Sequence, residues 1–422
     1  MSLSTLARTT PIAPTGARDR LARRLVFSRL EKIAEGELSV HDGDTGEVCR
    51  FGHAAADGLS AELTVHDPRF YRELLSGGSL GAAEAYLGEL WDTSDLVALV
   101  RVLARNRSAL EGVESGLARL GAIPSRVRHL LNGNTRSGSR KNIVAHYDLG
   151  NEFFAAFLDP TMTYSSAYFE TPETSLALAQ RAKLDRICRK LQLTPDDHVL
   201  EIGTGWGSFA IHAASRYGCK VTTTTISPSQ FEEASRRIAR AGLSDRVELL
   251  LSDYRDLTGR YDKLASIEMI EAVGHEHLPE FFGRCGRLLH PEGLMALQAI
   301  TIADRNYEAS KHGVDFIQRY IFPGGAIPSV TAMQRAIASA SPLTPMHLEE
   351  MGLHYADTLR QWRDNFEAAW PALSARFDER FRRTWNYYFS YCEGGFRERV
   401  IGVVQMLFAG PAFRREVARG AW

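Results

Sequence analysis

The stretch Asp197-His-Val-Leu-Glu-Ile-Gly-Thr-Gly-Trp-Gly207 decides the fold of this chain. Its first half, residues 197–202, has the length and apolar composition of a buried strand, and its second half is a glycine-rich turn. Gly203 and Gly205 allow a tight turn and a close approach of a ligand to the backbone. The helix predicted over 208–217 offers the free N–H groups of its first turn to a ligand carboxylate. The stretch therefore predicts a strand–turn–helix unit that binds a cofactor.

Further strands follow this unit, with another helix among them. Residues 220–226, 247–251, 263–267 and 294–300 carry strand-like runs, and residues 228–241 have the period of a helix. Strands that alternate with helices predict a parallel sheet with helices on both faces. The fold class is therefore predicted to be α/β with a Rossmann-like sheet, plus a small N-terminal α+β domain.

The glycine-rich turn has two candidate ligands, a dinucleotide and S-adenosylmethionine. Its spacing is Gly-x-Gly-x-Gly instead of Gly-x-Gly-x-x-Gly, and the second strand ends in threonines instead of an acidic ribose ligand. Glu201, the acidic residue before the glycines, favours S-adenosylmethionine, although it could simply orient the loop. The residues therefore predict S-adenosylmethionine as the cofactor.

The composition excludes several classes of function. With 50 Lys+Arg against 51 Asp+Glu, the chain has no overall field that would attract nucleic acid. Its five cysteines are scattered without Cys-x-x-Cys pairing, which argues against disulfides and a metal site and fits a reducing cytosol. No stretch approaches the ~18 consecutive apolar residues of a spanning helix, so any contact with lipid is expected from the side.

A chain of 422 residues is expected to hold more than one domain. Residues 1–16 lack the apolar core of a signal peptide and are expected to be loose. Residues 17–125 predict the small α+β domain, which opens with a helix over 18–35. The apolar stripe of this helix comprises Leu21, Leu25, Leu30 and Ile33. Such a stripe predicts packing within the domain, and its basic flank is also typical of a helix at a lipid interface.

A basic, glycine-rich linker over 126–141 separates this domain from residues 142–422, which carry the chemical motifs. A solvated linker explains the positive charge, and contact with phosphate is the alternative. Within the larger domain, residues from about 301 to 351 are rich in Phe, Ile and Pro. This composition predicts a cap over an apolar substrate.

Six segments that occur in a fixed order carry a resemblance to a known family. They are His146-Tyr-Asp-Leu-Gly-Asn-Glu-Phe-Phe154, Thr163-Tyr-Ser-Ser-Ala-Tyr-Phe169, Glu201-Ile-Gly-Thr-Gly-Trp-Gly207, Asp253-Tyr-Arg-Asp-Leu257, Glu271-Ala-Val-Gly274 and Tyr320-Ile-Phe-Pro-Gly-Gly324. Together they resemble the cyclopropane fatty acid synthases and mycolic acid cyclopropane synthases, in a divergent bacterial branch. The resemblance covers the chain from about residue 142 to the C-terminus, and the N-terminal domain more loosely.

The resemblance implies a class I methyltransferase fold and a substrate. The enzyme would transfer a methyl or methylene group from S-adenosylmethionine to the double bond of an unsaturated acyl chain of a membrane phospholipid. A carbocation on the acyl chain would be the intermediate. The protein would be cytoplasmic, touch the inner face of the membrane transiently as a peripheral protein, and form a homodimer.

The resemblance also assigns eight residues to the cofactor. Two lie over its methionine part, two approach it by backbone, two hold the ribose and two flank the adenine. In that order they are Tyr164 and Ser165, Gly203 and Gly205, Thr225 and Gln230, and Tyr254 and Arg255.

The proton acceptor that the resemblance implies is a bicarbonate ion, and two of its ligands depart from the family pattern. Glu271, Tyr320 and the backbone N–H of Ile300 match the pattern. Ser166 replaces a cysteine whose backbone is a main contact, and Gln298 replaces a histidine. Glutamine donates a hydrogen bond but carries neither the proton nor the charge. Ring closure is therefore in doubt, and the product is either a cyclopropane or a non-cyclopropane chain.

Three alternatives to a cyclopropane synthase stay open. A family member could make a C-methylated or methylene-bearing chain, or catalyse a step in furan fatty acid formation. A silent lipid-binding module could keep the fold without catalysis, although Gly203, Gly205 and Glu271 are intact. A methyltransferase of small molecules or nucleic acid would share the glycine loop. The chain lacks the run of basic residues interspersed with aromatic residues that is typical of nucleic-acid binding.

Overall fold

The computed structural model describes residues 16–110, 149–311 and 313–417. The chain divides into two compact units, residues 1–123 and 124–422. The linker predicted over 126–141 and most of the loose N-terminus predicted over 1–16 lie outside the described residues. Among the described residues, no helix is both long enough and apolar enough to cross a membrane.

The described part of the N-terminal unit, residues 16–110, packs three helices against a four-stranded sheet. Its elements are α1 (Ala17–Leu30), β1 (Gly36–Asp42), β2 (Val48–His53), β3 (Ser60–Val65), α2 (Arg69–Leu87), β4 (Trp91–Asp92) and α3 (Leu96–Arg105). The strand order is β2-β1-β3-β4, with β1 and β3 parallel. Every second residue of β1 is buried, as expected of a strand with one face on the core.

The apolar stripe predicted for the first helix is correct for Leu30 and Ile33, which are buried, and wrong for Leu21 and Leu25. Leu21 and Leu25 are 56% and 48% exposed, whereas the buried line of α1 is Ala22, Val26 and Leu30. The reason is a polar contact that sets the rotation of the helix. Arg23 pairs with the buried carboxylate of Asp42 at 2.6 Å, and the Tyr71 hydroxyl donates to the same carboxylate. A buried carboxylate must be paired, so this contact overrides the leucine pattern.

The C-terminal unit is built on a seven-stranded sheet. The strands are β5 (His198–Ile202), β6 (Lys220–Thr225), β7 (Val247–Leu251), β8 (Tyr261–Ile267), β9 (Leu289–Ile302), β10 (Thr344–Glu350) and β11 (Ile401–Ala409). Their order is β10-β11-β9-β8-β5-β6-β7, and the five strands from β9 to β7 are parallel. β11 runs antiparallel to both of its neighbours.

Helices cover both faces of this sheet, which confirms the predicted fold class. They are α4 (Asn151–Ala155), α5 (Leu176–Lys190), α6 (Ser208–Tyr217), α7 (Pro228–Arg240), α8 (Leu278–Leu288), α9 (Asp304–Ser310), α10 (Val330–Ala340), α11 (Gly352–Leu373) and α12 (Glu379–Arg397). Neighbouring residues of β5 point into different cores, Val199 into one with α5 and α6 and Leu200 into one with α8 and α10. Such a strand, buried on both faces, reads as a continuous apolar run.

The range predicted as a cap contains several elements. After β9 come α9, a π-helix over Ile317–Ile321 and α10, whose Met333 and Ile337 are buried in the core. The end of the range, Thr344–Glu350, pairs with β11 as the edge strand of the sheet. Only the part before α10 therefore has the irregular, partly exposed character expected of a cap.

Candidate active site

The carboxyl ends of the parallel strands bring six of the eight predicted cofactor residues to one edge of the sheet, as in other doubly wound folds. Gly203, Gly205 and Gly207, which follow β5, all have positive φ values, of 104°, 54° and 88°. A Cβ at Gly203 would lie 3.1 Å from the Met269 side chain, whereas a Cβ at Gly205 would meet no protein atom within 4 Å. Gly205 thus keeps open a space that a side chain would fill, and this geometry fits a cofactor held against the loop.

Glu201 supports the loop from within the sheet. The hydroxyl of Thr223 donates to its carboxyl group at 2.6 Å and lies 2.7 Å from the hydroxyl of Thr204 in the loop. Burial raises the pKa of Glu201 to about 8, so this carboxyl is protonated at neutral pH. The contacts support the loop-orienting interpretation of Glu201.

The two residues predicted for the ribose lie together after β6. The Thr225 hydroxyl donates to the side-chain oxygen of Gln230 at 2.8 Å, and both residues are buried. Ser227 caps α7 by accepting from the backbone N–H of Gln230. The cap fixes the start of α7 and so holds the Gln230 amide beside the end of β6.

The two residues predicted for the adenine follow β7. The Arg255 guanidinium forms two hydrogen bonds to the carboxylate of Asp253, at 2.9 and 2.7 Å. Tyr254 packs edge-on against Phe281, with ring centroids 5.5 Å apart. Because the guanidinium N–H groups are bound to Asp253, Arg255 would contact an adenine with the flat face of its guanidinium group and with its aliphatic carbons.

The two residues predicted for the methionine part lie among aromatic rings and a buried lysine. The Tyr164 ring lies 5.2 Å from that of Trp362, and its hydroxyl is 3.2 Å from the hydroxyl of Tyr388. Lys183 is fully buried and donates to the Ser165 hydroxyl at 2.6 Å. Burial lowers the pKa of Lys183 to about 8 against the attraction of nearby carboxyl groups, the largest from Glu268.

Glu268, which the sequence did not single out, forms the centre of the predicted anion site. Its Oε1 accepts from the backbone N–H of Ser166 at 2.8 Å and from the side chain of Gln298 at 2.7 Å. Its own backbone N–H donates to the Gln298 carbonyl at 2.8 Å. Its φ of 48° lies in the left-handed region that favours glycine and costs a glutamate about 1 kcal/mol.

A chain of hydrogen bonds behind Gln298 fixes the orientation of its amide. Lys190 donates to Gln405 Oε1 at 2.7 Å, and Gln405 Nε2 donates to Gln298 Oε1 at 3.0 Å. A lysine ammonium has donors only, so the acceptor on Gln405 must be its oxygen. Gln405 then presents its NH₂ to Gln298, and Gln298 presents its own NH₂ to Glu268. Lys190 itself is held by Glu349 at 2.6 Å.

Glu271 and Ile300 also come together, although as partners of each other. The Ile300 backbone N–H donates to Glu271 Oε1 at 2.5 Å. Glu271 Oε2 is buried and has no hydrogen-bond partner among the described residues. Burial, with the nearby charge of Glu268, raises the pKa of Glu271 to about 8. The Tyr320 ring packs on Phe316, at a centroid distance of 5.2 Å, in the π-helix.

Sequence reasoning missed Glu268, Lys183 and Gln405. A signal existed for Glu268, because a carboxylate directly after a buried parallel strand lies at the ligand edge of the sheet. No local pattern marks Gln405, which reaches Gln298 across 107 residues of sequence through the pairing of β11 with β9.

Comparisons with known proteins agree with this geometry. Residues 134–406 match the family described as mycolic acid cyclopropane synthetase. The tuberculostearic acid methyltransferase UfaA1 of Mycobacterium tuberculosis is 40% identical over 368 residues, which cover 85% of this chain and 86% of that protein. The cyclopropane-fatty-acyl-phospholipid synthase of Escherichia coli K12 is 37% identical over 381 residues, which cover 88% of this chain and 95% of that protein.

A solved structure shares both fold and sequence. The crystal structure of the mycolic acid cyclopropane synthase CmaA1, complexed with SAH and CTAB, matches with a TM-score of 0.60 at 33% identity. The match covers 64% of this chain and 98% of that one. These similarities confirm the predicted class I fold and enzyme class. The chain therefore belongs to the mycolic acid cyclopropane synthetase family of S-adenosylmethionine-dependent methyltransferases.

Proposed function

We propose that this chain methylates the double bond of an unsaturated fatty acyl chain in a membrane phospholipid. The observation that carries this proposal is the aromatic enclosure beside the predicted methionine site. The Tyr164 ring lies 5.2 Å from Trp362 and 6.1 Å from Phe322, and Phe322 lies 6.1 Å from Tyr388. Aromatic faces attract a cation, and an apolar wall suits an acyl chain and keeps water away from it.

The names of the relatives support this substrate class. One is a fatty-acyl-phospholipid synthase, and another acts in making a fatty acid, tuberculostearic acid. A phospholipid substrate lies in a bilayer, so we further propose that the enzyme works as a peripheral protein at the inner face of the membrane. We retain the homodimer and the division into a small N-terminal domain, a linker and a catalytic domain as proposals.

The protein's own residues would position the reactants. S-adenosylmethionine supplies an electrophilic methyl group when bound. The glycine loop would hold it by backbone, and Tyr164 and Ser165 would fix its methionine end beside the acyl chain. An isolated alkene is a poor nucleophile, so alignment of the two reactants supplies most of the rate. Tyr164, Trp362 and Phe322 would then stabilise the positive charge that methyl transfer leaves on the chain.

We propose a non-cyclopropane product, because the residue at the family's histidine position is a neutral donor. Gln298 gives its amide hydrogens to Glu268 and cannot take up a proton. A methylene-bearing chain needs only a hydride shift and the loss of a proton after methyl transfer. A saturated branch would also need a reductant from elsewhere, and a furan step would need an oxidant, so the methylene-bearing chain is the first product expected.

The first prediction concerns this product. In a bacterial host without cyclopropane lipids, expression of the chain with methyl-labelled methionine should place the label in phospholipid acyl chains. Gas chromatography with mass spectrometry of the fatty esters should show mainly a methylene or methyl branch. The matched control is Gly205→Val, which should give no label. A cyclopropane as sole product would contradict the proposed product, and unlabelled lipid would contradict the acyl-lipid substrate or support a silent lipid-binding module.

A further inference from the structure

We propose that the Glu268 carboxylate is the proton acceptor of the reaction and occupies the place that the resemblance gives to bicarbonate. This inference rests on the proposed function and deepens it. It names a catalytic residue supplied by the chain itself in place of a dissociable ion.

The hydrogen bonds of Glu268 carry the proposal. The resemblance predicts that the backbone at Ser166 and the side chain at position 298 hold the anion. In the structure both groups donate to one oxygen of Glu268, at 2.8 and 2.7 Å. The Tyr355 hydroxyl is also a hydrogen-bond partner of this carboxyl group. Bicarbonate would have to displace the glutamate from these donors, and two anions so close would repel each other. The residues present therefore do not fit bicarbonate.

Gln298 is excluded as the acceptor by the orientation of its amide. Lys190 donates to Gln405, Gln405 donates to Gln298, and Gln298 donates to Glu268. Each amide has its oxygen towards Lys190 and its NH₂ towards Glu268. These hydrogen bonds therefore end in the Gln298 NH₂ group, which donates to Glu268 and stabilises its carboxylate. The carboxylate is the ionised form that can accept a proton.

Glu271 is the other carboxyl group at the site, and its surroundings suit a different state. Its Oε1 accepts the Ile300 N–H, and its Oε2 is buried without a hydrogen-bond partner among the described residues. With its pKa raised to about 8 by burial and by the charge of Glu268, it is protonated at neutral pH. The donors around Glu268 therefore favour its ionised form, whereas the surroundings of Glu271 favour its neutral form.

The groups facing Glu268 shift its pKa in opposite directions. Burial raises its pKa, which strengthens it as a base, while the Lys183 ammonium and the Gln298 and Ser166 donors oppose the rise. The other titratable groups that act on it are Glu271, Tyr355 and Tyr388. The left-handed backbone at Glu268 aims this carboxylate from the end of β8 towards Ser166.

Methyl transfer followed by proton loss to Glu268 needs no further reactant. The two π electrons of the alkene form the bond to the transferred methyl group, and the electron pair of the broken sulfur–carbon bond stays on the sulfur. The neighbouring chain carbon then carries the positive charge. A hydride shifts from the methyl-bearing carbon to this cationic carbon, which moves the positive charge onto the methyl-bearing carbon. Glu268 then accepts a proton from the transferred methyl group, and the electron pair of that C–H bond forms the double bond of the methylene product. The protonated Glu268 returns its proton to water before the next turnover.

The test uses the full chain, vesicles of unsaturated phospholipid and methyl-labelled S-adenosylmethionine, in buffer freed of carbon dioxide. The wild-type rate should be the same with and without added bicarbonate. Glu268→Gln should lose about 1,000-fold in rate, as expected for removal of a base. Glu232→Gln, the same change on the exposed side of α7, should keep the wild-type rate.

Glu268→Gly is the decisive variant, because glycine tolerates the backbone at this position and leaves the donors open. Its rate should be low in carbon-dioxide-free buffer and should rise at least about tenfold with bicarbonate, within the range of a restored base. By ¹³C NMR, labelled bicarbonate should bind the SAH complex of this variant and not that of the wild type. SAH affinity by calorimetry should stay within about threefold, a change below 1 kcal/mol.

Two results would overturn the proposal while leaving the proposed function intact. One is a wild-type rate that collapses without bicarbonate and returns with it, and the other is a Glu268→Gln enzyme that works at the wild-type rate. A wild type that labels no lipid would contradict the proposed function, and the assignment of the base would fall with it.

Discussion

Gly205→Val should abolish binding of S-adenosylmethionine and of SAH in a protein that still folds. A Cβ at Gly205 would meet no protein atom within 4 Å, so the new side chain would extend into the space kept for the ligand. We expect the affinity to fall at least about 100-fold, or about 2.7 kcal/mol. Isothermal calorimetry with SAH measures the affinity directly, and lipid methylation should disappear with it.

The control for this prediction is Gly242→Val. Gly242 follows α7, has a φ of 70°, and would also place a Cβ in open space. Both variants carry the cost of a β-branched residue at positive φ, so their thermal unfolding midpoints should fall by similar amounts. Only Gly205→Val should lose the ligand. If it binds SAH within threefold of the wild type, the assignment of the loop is wrong.

Lys190→Met should destabilise the C-terminal unit and disturb the active site from the far end of the hydrogen-bond chain. Lys190 is fully buried, and its ammonium bonds both Glu349 and Gln405 at 2.6 and 2.7 Å. Glu349 is partly exposed and keeps Arg186 as a second partner, so the loss falls mainly on the buried Gln405 oxygen, which is left without its donor, and costs about 2 kcal/mol. Urea titration of the variant against the wild type measures this loss.

The same variant should slow catalysis beyond any loss of folded protein. Without the Lys190 donor, the Gln405 amide can rotate and present its oxygen to Gln298. The Gln298 amide would then rotate as well and would no longer donate a hydrogen bond to Glu268. We expect the turnover number of the remaining folded enzyme to fall about tenfold, equivalent to about 1.4 kcal/mol, at unchanged SAH affinity. Lys220→Met, on an exposed side chain of β6, should change stability by no more than about 0.5 kcal/mol. An unaltered turnover number in Lys190→Met would contradict the positioning role of the hydrogen bonds from Lys190 to Glu268.

The sequence by itself determined the fold class, the family and the place of the glycine loop. These features are local, since an apolar run, a glycine turn and a following helix are contiguous from residue 197 to 217. α6 and β7 have the predicted bounds, while β9 begins five residues earlier than predicted and continues to Ile302. Periodicity marks the centre of an element more reliably than its ends, where pairing with neighbours decides the length.

Only the tertiary structure decided which groups face each other. The rotation of α1 follows from the pairing of Arg23 with Asp42, which no count of leucines along the helix reveals. Glu268, Gln298 and Gln405 lie on three different strands or strand ends, and the register of β8, β9 and β11 aligns them. A hydrogen bond depends on a distance of about 3 Å between atoms far apart in sequence, and residue types alone do not fix that distance. The replacement of a histidine by Gln298 was visible in the sequence, but the carboxylate that this amide binds became visible only in the fold.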